Sequence, residues 1–150
     1  MRVRNLRVCK LLIVTGVITG LPAGVAHAKA LDDALNCDQQ PHAFIAGLID
    51  DQSIDAKPMR VEANSVNAFR PSAGSGLTAF GFRVYAVLGY APDDDLFEPG
   101  SGKPVDGPLY GAVLSGPKET IESRLREAGS TATVRAVLPL VLTAVVCRQP

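Results

Sequence analysis

The first 28 residues decide how much of this chain is available for folding. The segment MRVRNLRVCK carries Arg2, Arg4, Arg7 and Lys10 and no acid, and it runs directly into an apolar stretch from Leu11 to Val25. A basic segment followed by an apolar one is the order of a secretory signal peptide. The stretch is about 15 residues long and is interrupted by Gly16, Gly20, Pro22 and Gly24, whereas a helix that spans a bilayer takes about 20 apolar residues. A cleaved leader therefore fits better than a permanent membrane anchor. Two overlapping small-x-small sites follow, Ala26-His27-Ala28 before Lys29 and Ala28-Lys29-Ala30 before Leu31, and the first is favoured. Neither Cys9 nor Cys37 follows the Leu-x-Gly/Ala pattern of a lipidated cysteine. Residues 1–28 are expected to be a signal peptide and 29–150 a single mature domain, periplasmic or secreted and untethered.

Export sets the redox compartment. Of the three cysteines, Cys37 and Cys147 remain in the mature chain, and an even number in an oxidising compartment points to a bridge. A reactive thiol pair would call for the close Cys-x-x-Cys spacing that lowers one thiol's pKa. A zinc module would call for paired ligands, and His42 is the one histidine of the mature chain. A Cys37–Cys147 disulfide is the expectation, holding the segment around Asn36–Asp38 against Val146 and bringing the neighbouring helix close to the last strand.

Losing the leader also changes the charge. Eleven Lys and Arg remain against fifteen Asp and Glu, and Lys57, Arg60, Arg70, Arg83 and Arg135 are scattered singly. Nucleic-acid binders carry basic clusters that neutralise phosphates, so no nucleic-acid partner is expected.

The remaining residues are enough for one core. Pro41–Asp50 (PHAFIAGLID) places Phe44, Ile45, Leu48 and Ile49 at helical spacing, with Pro41 suited to the first helical position; an earlier start near Leu31 is the alternative. Met59 to Phe69 alternates weakly and predicts a half-exposed strand. Arg70 to Gly76 (RPSAGSG) is turn chemistry. Leu77 to Tyr90 (LTAFGFRVYAVLGY) predicts one long strand, with Phe80, Phe82, Val84, Ala86, Leu88 and Tyr90 on one face. Ala91 to Pro108, with four prolines and three glycines, predicts an irregular loop. Leu109 to Ser115 predicts a strand and Pro117 to Gly129 a helix, with Ile121, Leu125 and Ala128 as its apolar stripe and Gly129 as its stop. Thr131 to Cys147 is rich in Val and Leu, and Pro139 inside it predicts an edge position, a bulge or two consecutive strands. The order predicts a small single α+β domain, a mainly antiparallel sheet of about four strands with two helices on one face.

Catalytic patterns are weak. Gly100-Ser101-Gly102-Lys103 has Phe97 where a phosphate-binding loop has its first glycine and Pro104 where it has Ser or Thr. Asp93, Asp94, Asp95 and Glu98 lack the order of a calcium loop. There is no GxSxG, and His42 reads as a residue at a helix start facing solvent. Carboxylate pairs for hydrolysis have no feature that selects them. No cofactor is expected. The leading expectation is a non-catalytic binding or interaction protein of the bacterial periplasm or extracellular space whose partner is another envelope or secreted protein. A long loop is a common place for recognition, so Asp93, Asp94, Asp95, Phe97 and Lys103 are the candidate interaction residues, with an exposed strand edge as a further surface. A small secreted hydrolase using carboxylates is the alternative.

Overall fold

The computed structural model describes residues 28–149; the basic and apolar segments assigned to the leader lie outside them. The first helix, α1 (Pro41–Asp50), has the expected bounds and buries Pro41, Phe44, Ile45 and Leu48. It does not extend back towards Leu31. A short 3-10 turn at Ala34–Asn36 ends instead at Cys37, whose φ of 72° no continuing helix tolerates. The second helix, α2 (Lys118–Ala128), buries Ile121 and Leu125 and stops at Gly129 in the left-handed conformation, as an αL C-cap requires. Neither helix is long and apolar enough to cross a membrane.

The domain is α+β, with seven antiparallel strands: β1 (Arg60–Val61), β2 (Asn67–Phe69), β3 (Thr78–Ala79), β4 (Phe82–Tyr90), β5 (Leu109–Ser115), β6 (Thr133–Leu138) and β7 (Leu142–Arg148). The order across the sheet is β1-β2-β4-β5-β7-β6, with β3 paired to the start of β4. There are more strands than expected because three runs fold back on themselves. Met59–Phe69 turns at Asn64-Ser65, where Ser65 has φ 68° and its N–H donates to the Glu62 carbonyl. Leu77–Tyr90 turns at Phe80-Gly81, both at positive φ, the pattern of a two-residue hairpin turn. The Val/Leu-rich final run turns at Pro139, between two strands paired through Leu138 and Leu142.

The even alternation expected along Leu77–Tyr90 also fails. The β4–β5 register slips between Val84 and Ala86, so Tyr85 is the extra residue of a β-bulge, which re-aims the side chains around it. Val84 and Val87 join the main core under both helices, with Phe44, Ile45, Leu114, Ile121 and Val145. Ala86 packs with Val113 and Ala144, and Tyr90 with Val66 and Leu109, in two small clusters outside that core.

Cys37 and Cys147 form a disulfide across a separation of 110 residues. The 34–36 turn, rather than α1, lies against β7; α1 lies over β4 and β5. Tyr110 is fully buried beside Phe44, ring centroids 4.7 Å apart. Its hydroxyl donates to the Ala34 carbonyl at 2.9 Å and accepts the Gln39 N–H at 3.1 Å.

Candidate functional site

The 91–108 segment is irregular, as its prolines and glycines dictate, yet it is fastened along its length. Asn67, fully buried on β2, presents its side-chain amide as a strand would present a peptide group: Nδ2 donates to the Glu98 carbonyl at 2.8 Å and Oδ1 accepts the Glu98 N–H at 2.9 Å. The Gly100 N–H donates to Ser65 Oγ at 2.9 Å. Gly102 and Val105 donate to the carbonyls of Ala63 and Asn64. A Cβ at Gly100 would collide with the carbonyl oxygens of Glu62 and Ala63, so the glycine of the GSGK string serves a close backbone approach.

Of the five loop residues singled out from the sequence, Asp93, Asp94, Asp95 and Phe97 line one concavity, and Lys103 is not part of that lining. Phe97 is buried and reaches the main core, where it and Ile45 close over Gly89; a Cβ there would stand 2.7 Å from both side chains. Asp94 shapes the turn, its Oδ1 accepting the Leu96 N–H at 3.0 Å, and its carboxylate meets His42 Nδ1 at 2.9 Å. His42 thus lies at the helix start and in solvent, as expected, but with a carboxylate partner. Asp93 and Asp95 are exposed, and Lys103 stands 3.9 Å from Asp106 in solvent. Asp94 is less exposed than its two neighbours because it is spent on local hydrogen bonds.

The surface that sequence reasoning passed over is the β6–β7 hairpin. Val137, Leu138, Leu140 and Val141 are 56%, 51%, 79% and 52% exposed. They stand together because the β6–β7 register slips between Ala136 and Leu138 and the chain then turns tightly, the Val141 N–H donating to the Leu138 carbonyl at 3.0 Å. Pro139 occupies the second position of this turn and Leu140, at φ 63°, the third. Proline suits that second position, and a positive φ at the third selects glycine or asparagine. A leucine there costs about 1–2 kcal/mol in backbone sterics. The projection is braced from behind, with Gly116 N–H donating to the Val141 carbonyl and Thr143 Oγ1 to the Gly116 carbonyl. A signal was present in the sequence: AVLPLVL, residues 136–142, holds no polar residue where a hairpin tip normally carries Asn, Asp or Gly.

Among the described residues no three His, Cys, Asp or Glu side chains gather as metal ligands would. Burial pushes the Asp51 carboxyl up, but hydrogen bonds from Lys29 and Ser53 outweigh it and hold the group below its ordinary value. That direction is opposite to the one a general acid needs. The chain matches no protein-family model, no curated protein and no solved structure.

Proposed function

We propose that this chain is an exported, non-catalytic interaction protein that docks on another envelope or secreted protein through its β6–β7 hairpin. Leu140 carries the reading. It holds the most exposed large apolar side chain described and sits in a backbone conformation that disfavours it. Folding alone accounts for neither cost, and strain combined with exposure is characteristic of binding elements. Strand β6 adds a sheet edge whose unpaired backbone groups suit pairing with a strand of the partner. The basic and apolar order of residues 1–28 and the Cys37–Cys147 disulfide support export to an oxidising space.

The test is site-specific photocrosslinking from position 140 in cells that make the full chain, with position 95 on the fastened loop as control. A discrete adduct from 140 and none from 95 is the expected result. Adducts from 95 alone would return recognition to the acidic loop.

A further inference from the structure

Beside the start of β4 lies a cleft of about 760 Å³, within the span of about 300–1,000 Å³ typical of small-molecule sites. Its wall is the turn Pro71–Gly76, and the bulge places Tyr85 at its rim, 55% exposed. Arg70 follows Phe69 and Arg83 precedes Val84, and both of those neighbours belong to the main core. Alternation along β4 sends Arg83 away from the core, and Arg83 and Arg70 both line the cleft. No acid lines it, and neither arginine lies within 4.0 Å of a carboxylate among the described residues.

Two unpaired guanidiniums in one concavity, on a mature chain with more acids than bases, focus positive potential there. A guanidinium's planar fork matches the oxygens of carboxylate and phosphate. The same cleft offers an apolar side in Met59 and the Tyr85 ring. Its wall also holds a spare polar group: Ser75 Oγ is closed off from solvent and has no hydrogen-bond partner. The flanking residues Gly74 and Gly76 stand at φ 78° and 60°, a backbone conformation that glycine adopts without steric cost.

We propose that this cleft binds a small organic oxyanion, a carboxylate or a phosphate monoester, with Arg70 and Arg83 holding its charge and Tyr85 its apolar body. The site is independent of the hairpin, although Ser115 in the cleft is the register partner of Leu142 at the hairpin's base.

Calorimetric titration of the purified mature protein at low salt, with benzoate, phenyl phosphate and inorganic phosphate as probes, tests this. An aryl anion should bind more tightly than inorganic phosphate, and the stronger of the two aryl probes assigns the head group. Arg70→Gln with Arg83→Gln should weaken binding at least tenfold. Tyr85→Ala should remove the advantage of the aryl probes. Ser75→Ala should weaken binding severalfold without lowering the melting temperature, which separates a lost contact from a damaged turn. Leu140→Gly should leave every titration unchanged, so failure here and failure of the hairpin reading are distinct results. Absence of binding by all three probes, or binding by the double arginine variant at wild-type strength, would overturn the proposal.

Discussion

Tyr110 and Cys147 are register partners on β5 and β7, and they fasten the same stretch of chain from two points, one through hydrogen bonds to Ala34 and Gln39 and the other through the disulfide to Cys37. Closing a loop of roughly 100 residues is worth about 4.7 kcal/mol in the chain-entropy model. Removing the Tyr110 hydroxyl leaves two backbone groups without their partner, at about 1–3 kcal/mol. Cys37→Ala and Tyr110→Phe should each lower stability. The double variant should lose less than their sum, because either change frees the segment that the other was holding. A double-mutant cycle by urea unfolding measures the coupling. Burial pushes the Tyr110 phenol above its ordinary 10.0, so the unfolded chain gives up its proton first and stability drains as pH rises past about 10. Tyr110→Phe should flatten that alkaline limb.

Asn67 should matter more to the 91–108 loop than any residue within its acidic run. Asn67→Ala strands the Glu98 N–H and carbonyl, a loss of about 1–3 kcal/mol, and should release the loop to proteolysis. Changing Asp93 and Asp95 to Ala should move stability by less than about 0.5 kcal/mol, as exposed substitutions do. Asp94→Ala should cost more than both together, since it removes the acceptor for Leu96. Urea unfolding and limited proteolysis of the set separate the two roles.

Leu140→Gly should stabilise the isolated protein. The substitution relieves a positive φ at about 1–2 kcal/mol, offset in part by the chain entropy glycine adds to the unfolded state. A higher melting temperature together with loss of the crosslinked partner would mark a position where stability is given up for binding. A lower melting temperature would mean that Leu140 packs to some purpose within the fold.

Removal of Lys29 and Ala30 should weaken the domain. The Lys29 carbonyl accepts the Thr78 N–H at 3.0 Å, Ala30 forms a parallel bridge to Thr78, and the Lys29 ammonium pairs with Asp51. A protein beginning at Lys29 should melt higher than one beginning at Leu31. Its Asp51 carboxyl, held below the ordinary 3.8, supplies stability above about pH 4 that disappears as acid protonates the unfolded chain first. Acid unfolding of the shorter form should lack part of that dependence.

Features set by neighbours along the chain were legible in advance. Pro41 and Gly129 mark helix ends through their own backbone preferences, Pro139 announces a break in the last apolar run, and the two cysteines outside the expected leader, Cys37 and Cys147, allow one intramolecular pairing. The rest depends on contacts between distant residues. Nothing near Tyr85 in the chain signals a bulge, because slipping the register is decided by which of Ala86 and Val87 fits beneath the helices. The fastening of the acidic loop was hidden for the same reason, since Asn67 precedes Glu98 by 31 residues. The chain marked the 91–108 loop as irregular and a break at Pro139, but neither the anchoring of that loop through Asn67 nor the exposure of Leu140 at the hairpin tip follows from local sequence.

The sheet order bears on how the protein is made. Strand β7 lies between β5 and β6, so β5 gains its second neighbour after residues 142–148 have been synthesised. Until then it presents an apolar edge, Leu109 to Leu114, to any strand within reach. A nascent chain paused or truncated before Leu142 is exposed to aggregation of the kind unpaired edges invite. Productive folding therefore waits on the arrival of the last strand, and a chaperone that shields β5 during that interval would raise the yield more than one acting on the helices.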